Sequence, residues 1–164
     1  MNGSPPPIRR VVTGHDAGGK AVVWQDGAAS NRTSPFRGTT ATVIWATDSS
    51  PADYGIDQDG ANLASGVAPP PNGTRFAILE FEPGHAMHGL HSTDTVDYVI
   101  CLAGEIDLDL DDETVKLRTG DVVVQRGTNH AWVNRGGELA RIAAVLIDGA
   151  PKRTVSVSGT DEVH

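Results

Sequence analysis

Short runs rich in apolar and β-branched residues, separated by polar turn residues, recur along this chain, and in one of them apolar and polar positions alternate with the period of two of strands that bury one face. That run is "EIDLDLD" at 105–111, placing Ile106, Leu108 and Leu110 on one side and acids on the other. Similar runs bounded by Gly, Asp or Pro-bearing turns predict strands over 8–14, 20–27, 39–48, 75–82, 95–102, 105–111, 114–118, 121–125, 130–134 and 141–147. Short turns such as "LAGE", "DDE" and "RTGD" join neighbours, so the expected arrangement is antiparallel meanders closing into a sandwich or barrel. Residues 49–73 are too polar and too broken by Gly and Pro for a core element; they read as a long loop, either a lid or dimer arm or a connection with no role.

Composition narrows the class. The chain has 164 residues, with 19 Gly and 10 Pro, which suits one turn-rich all-β domain over 8–148 between a flexible N-terminus at 1–7 and a polar tail at 149–164. A formal net charge of −8 argues against nucleic acid or an anionic membrane as partner, since both need a basic footprint, and leaves a small molecule as the better fit. No apolar run is long enough to span a bilayer, and "MNGSPPPIRR" lacks the apolar stretch of a secretory signal. One cysteine, Cys101, rules out an internal disulfide, and a cytoplasmic location is expected.

The candidate chemistry lies in two segments, "GHAMHGLHSTDTVDYVICLAGEI" and "GDVVVQRGTNHAWVN". His85, His88 and His91 recur every third residue, a rhythm that would suit a metal-binding helix face. The flanking Pro83-Gly84 and the interrupting Gly89 argue instead for a loop entering a strand. If that strand starts early, alternation puts His91, Thr93, Asp97, Val99 and Cys101 on one side, and likewise His130, Trp132 and Asn134 share a side. Facing one interior, these residues would give a pocket of two imidazoles, a carboxylate and an aromatic. Cys101 reads as a small buried hydrophobe, Tyr98 as packing on the opposite face, and Gly104 and Gly120 as turn residues.

These segments resemble the two motifs of the small single-domain cupins, over roughly residues 74–148. In that family a histidine pair is followed by a glutamate and, seven residues on, a glycine; the second motif has a glycine, a Pro-x-Gly, a histidine and an asparagine. Here His91, Asp97 and Gly104 stand at first-motif positions, and Gly120, Gly127, His130 and Asn134 at second-motif positions, one residue short and with Arg126 near the usual proline. Thr93 replaces the second histidine and Asp97 the glutamate. The resemblance implies a jelly-roll β-barrel of two antiparallel sheets with added N-terminal strands, and a homodimer paired through them.

Function stays open among several readings. His91, Asp97 and His130, with His88 as a further imidazole and His85 as a weaker one, could ligate one divalent metal such as Fe, Zn, Mn or Ni. Without metal, the same three could carry acid and base catalysis on a carbonyl-bearing or polyketide-like molecule, giving a lyase, dehydratase or isomerase. An Fe(II)-dependent dioxygenase and a non-catalytic small-molecule sensor are the alternatives, and the polar groups could simply satisfy one another inside the barrel. Trp132, Arg126, Thr93 and Gln125 are the candidate substrate-binding residues, with Arg126 expected to meet a carboxylate or enolate oxygen.

Overall fold

The computed structural model describes residues 6–151, apart from 56, 64 and 65; the expectations for the extreme termini therefore lie largely outside the described residues. Twelve strands run in the order β1 (Arg9–His15), β2 (Ala21–Ala28), β3 (Arg32–Thr33), β4 (Thr39–Thr47), β5 (Thr74–Phe81), β6 (Ala86–His91), β7 (Thr95–Ala103), β8 (Glu105–Asp109), β9 (Thr114–Arg118), β10 (Val122–Arg126), β11 (His130–Val133) and β12 (Ala140–Asp148). One short 3₁₀ turn, Gly60–Asn62, interrupts the 49–73 loop. No helix among the described residues is long and apolar enough to cross a membrane.

The strands form three sheets: a β1–β2 ribbon, a six-stranded sheet in the order β10-β7-β12-β5-β4-β3, and a four-stranded sheet in the order β6-β11-β8-β9. From β5 onward the chain crosses repeatedly between the two larger sheets, and within that stretch only β8 and β9 are chain neighbours that pair. The connections are therefore those of a jelly roll, and the simple meander expected from the short turns is corrected. Short turns cannot tell a hairpin from a corner where the chain changes sheet.

Cross-strand registers show what fills the barrel. Directly opposed residues on antiparallel strands share a face. In the six-stranded sheet this gives an inner row of Ala41, Leu79, Ile142 and Cys101, and a second of Val43, Ala77, Ala144, Val99 and Val123. The opposing sheet contributes Met87, Ile106, Leu108, Leu117 and Trp132 to the same core cluster. Burying each larger aliphatic side chain stabilises the fold by about 1.5–3 kcal/mol, which makes these two rows the floor of the barrel.

A third inner row differs in kind. Gln125, Asp97, Leu146, Arg75 and Ala46 lie side by side across β10, β7, β12, β5 and β4, and every one of them is buried. Three of the five are polar. Burying polar groups costs stability unless they are partnered, so this row marks where the barrel stops being pure core.

Two strands escaped the sequence reading, β3 and β6. β3 is only two residues long. β6 is irregular: His130 pairs with His91 and Trp132 with Met87, so two steps on β11 span four on β6. That bulge holds His88 at φ 56, in the left-handed region. Gly89, which argued for a loop, belongs to this bulge.

Candidate functional site

β11 and β6 bring the histidines together. His130 and His91 are cross-strand partners with ring centroids 4.6 Å apart, and the β6 bulge turns His88 to within 4.9 Å of the His91 ring. Phe36 meets the far side of His88 at 4.3 Å, and Trp132 lies edge-on to His130 at 6.3 Å. The result is a continuous file of rings, Phe36, His88, His91, His130 and Trp132. His85 is not part of it: its Nδ1 lies 3.0 Å from the Pro83 carbonyl, and its ring occupies the space where a side chain at Gly38 would be.

Both central imidazoles are anchored the same way. His91 Nδ1 donates to the Gly89 carbonyl at 2.9 Å, and His130 Nδ1 donates to the Thr128 carbonyl at 2.9 Å. A carbonyl can only accept, so Nδ1 carries the proton and Nε2 is left with a lone pair. Burial lowers the His130 pKa, against the opposing pull of the Thr128 carbonyl and Asp97, and so favours the neutral ring. His88 is lowered too, by burial and then by repulsion from His91.

Asp97 reaches the pocket from the other sheet. β6 ends at His91 and β7 starts at Thr95, so the expectation that one strand carries His91 and Asp97 on one face is corrected; they meet because two sheets face each other. Desolvation raises the Asp97 pKa, against the pull of Thr95, His130 and His91. Its Oδ1 is buried without a hydrogen-bond partner. Beside it, Gln125 donates Nε2 to the Thr128 carbonyl at 3.1 Å while its Oε1 is also unpartnered. Two orphaned acceptors side by side on the inner face are unusual in a satisfied core and normal where a ligand or water completes the set.

The substrate-binding candidates divide. Gln125 and Trp132 face the interior. Arg126 is corrected: it follows inward-facing Gln125, so alternation sends it to the outer face, where it is exposed. With Thr93, Asp94 and Thr128 it borders an outer cleft of about 590 Å³ that does not contain the histidines. Thr93 is held by the Thr95 hydroxyl at 2.7 Å. Asn134 is structural: its amide donates to the Phe81 and Glu138 carbonyls, and its Oδ1 accepts from Gly136 N–H. Cys101 is buried, its pKa pushed up chiefly by desolvation, as expected of an inert thiol.

The fit to a divalent metal is partial. A ligating imidazole normally donates its second nitrogen to a carbonyl or carboxylate, as His91 and His130 both do. Among the described residues, however, no three His, Cys, Asp or Glu side chains converge as a ligand cage. The pocket supplies two oriented donors and does not fit a preformed three-ligand site.

Sequence comparison adds the lineage. The family model Cupin_2, described as a cupin domain, matches residues 77–147. A phomopsin biosynthesis cluster protein C′ from Diaporthe leptostromiformis is 34% identical over 170 residues, covering 92% of this chain and 85% of the relative. The chain belongs to the cupins. This cupin is also 34% identical, over 89% of its length and 80% of the relative's, to the cupin-domain-containing oxidoreductase virC of Hypocrea virens. Among solved structures, KdgF from Halomonas sp. superposes with a TM-score of 0.52 at 12% identity, covering 74% of this cupin and 90% of that chain, a likeness of fold alone.

The sequence reading passed over Arg75. It sits in "TRFAILEF", on the face that also carries Ala77, Leu79 and Phe81. A cation in register with three inward apolar positions was the available signal.

Proposed function

We propose that this cupin is an enzyme that works on a small organic molecule by proton transfer in the barrel pocket. The observation that carries this reading is the pair of Nδ1-anchored imidazoles, each presenting a free Nε2 beside a buried carboxylate whose Oδ1 lacks a partner. A neutral His130 Nε2 can take a proton from carbon next to a carbonyl, and the nearby Asp97 charge then favours the imidazolium. The His130 imidazolium can then return that proton to a different carbon of the enolate or to a departing hydroxyl, while the free Nε2 of His91, in a ring 4.6 Å away, can accept a hydrogen bond from the substrate. Isomerisation follows from the first outcome and dehydration from the second.

Several relatives are named cupin-domain-containing oxidoreductases, which favours a second reading, in which the same pocket serves an oxidation such as that of an Fe(II)-dependent dioxygenase. One assay separates the two. Candidate carbonyl substrates are incubated in D₂O, with dissolved oxygen followed by electrode and iron content by elemental analysis. Deuterium uptake or water loss without oxygen consumption supports the acid and base reading; oxygen consumption that tracks bound iron replaces it. His130→Ala and His91→Ala are each expected to lower kcat/KM by about 10²–10⁴-fold with unchanged far-UV circular dichroism. Full turnover in both variants ends the proposal.

A further inference from the structure

Arg75 projects from β5 onto the inner face, 3% exposed, in the same cross-sheet row as Asp97 and Gln125. Among the described residues no carboxylate pairs with it. Nη1 donates to the Val67 carbonyl at 3.1 Å, and Nε is buried with no hydrogen-bond partner among the described residues. Two other buried charges of the barrel are ion-paired, Glu80 with Arg141 and Arg32 and Asp107 with Lys116 and Arg135, whereas Asp97, two strands from Arg75, forms no ion pair among the described residues. An isolated buried guanidinium is costly, and such a group persists where something else supplies the counter-charge.

The space for a counter-charge is present. Arg75 lines a cavity of about 440 Å³ between the inner side of β4, the β3 edge and Ala61, Asn62, Gly66 and Val67 of the long loop. Its walls mix apolar Ala41, Val43 and Val67 with polar Asn31 and Asn62. Asn31 and Asn62 are bonded to each other at 2.9 Å, and Arg32, also on the wall, is drawn to Glu80. One uncommitted positive charge therefore faces a pocket large enough for a small organic molecule.

We propose that this cavity binds the carboxylate of a small organic acid through Arg75, making a monoanionic carboxylic acid the substrate class of the pocket. This rests on the functional reading above. A guanidinium presents paired N–H donors that match a carboxylate, and one positive charge balances one negative charge where a phosphate dianion would leave an excess. Arg75 and Asp97 stand two strands apart, about 10 Å at ordinary strand spacing, with Leu146 between them. Leu146, Asp97 and the histidines do not line this cavity, so the substrate proposed is one that extends beyond it along the inner row, from a carboxylate at Arg75 past Leu146 toward Asp97.

The test uses benzoate and its uncharged counterpart benzamide, titrated into ¹⁵N-labelled protein while arginine Nε–H resonances are followed, with Arg75→Lys assigning the Arg75 signal. A saturable benzoate shift of that signal, with benzamide binding about tenfold or more weaker, is the expected result. Arg75→Met should lose benzoate affinity by a similar factor. Should that variant not fold, Arg75→Lys carries the same test, with an expected loss of about tenfold because it keeps the charge and loses the paired donors. Equal affinity for the two probes, no saturable shift, or unchanged affinity in the folded variant overturns the proposal. His130→Ala should bind benzoate within about twofold of wild type, because it leaves the anchor intact. Full turnover in His130→Ala alongside lost benzoate binding in Arg75→Met would remove the catalytic reading and leave the carboxylate site standing.

Discussion

His130 and Asp97 share a pocket, and burial pushes both toward their neutral forms, with opposite consequences for stability against pH. His130 has a folded-state pKa below its ordinary 6.5, so the folded chain binds fewer protons than the unfolded one just beneath that value. Stability should therefore fall as pH drops from 6.5 toward the lowered pKa. Asp97 is raised above 3.8, so the folded chain binds more protons there, and its contribution falls as pH rises through the interval above 3.8. Thermal melts from pH 3 to pH 8 on wild type and Asp97→Asn check the second effect. The variant should gain melting temperature relative to wild type as pH climbs out of the acid range, and a constant difference across the range would contradict the account. The functional cost runs the other way, since Asp97→Asn removes the charge that favours the His130 imidazolium.

At the scale of the element, the two larger sheets communicate through tight corners that decide which strand lands opposite which. Gly104 joins β7 to β8 across the barrel at φ 70, and a Cβ there would lie 2.5 Å from the Leu139 carbonyl oxygen. Gly104→Ala should therefore cost at least about 2 kcal/mol, from left-handed strain and a backbone clash that no rotamer relieves. Urea denaturation of the variant measures this directly, and a loss under about 0.5 kcal/mol, the ordinary range for surface changes, would show that the corner relaxes freely. The β6 bulge works by similar means. Without its extra residues His88 would point away from His91, and the file of rings would end one member short.

For the molecule as a whole, the outer face of the six-stranded sheet is conspicuous. Tyr98, Ile100 and Leu102 on β7 and Val122 and Val124 on β10 form one exposed apolar patch by register, with Val124 62% exposed. Patches of this kind mark interaction surfaces. In a chain of net charge −8, a patch that itself carries no carboxylate is where a second copy can approach with least repulsion. The family resemblance implies a homodimer paired through the N-terminal strands; this exposed patch on β7 and β10 is proposed as the pairing face instead. Light scattering after size exclusion should give twice the monomer mass, and Ile100→Glu with Val124→Glu should give the monomer mass with the fold intact. A monomer in the wild type, or a dimer that survives both changes, refutes this surface.

Local chemistry was enough to write most of the strands: alternation at β8 and the apolar, β-branched runs of β7 and β12 are properties of neighbouring residues, and they placed the bounds within a residue or two. The motif spacing likewise singled out His91, Asp97 and His130, which the structure brings into one pocket. Three features needed the tertiary structure. Glycine and positive φ hid β6, because a bulged strand is stabilised by its partner β11 and not by its own pattern. Arg126 looked like a pocket residue and faces out, because inward and outward are set by register with β7, a pairing between distant segments. Arg75 looked like the start of a strand and is buried, because its side chain is covered by a loop and a sheet that only the closed barrel brings over it. The sequence alone determined which residues can make strands and which can do chemistry; closure of the barrel decided which of them meet, because facing is fixed by long-range pairing.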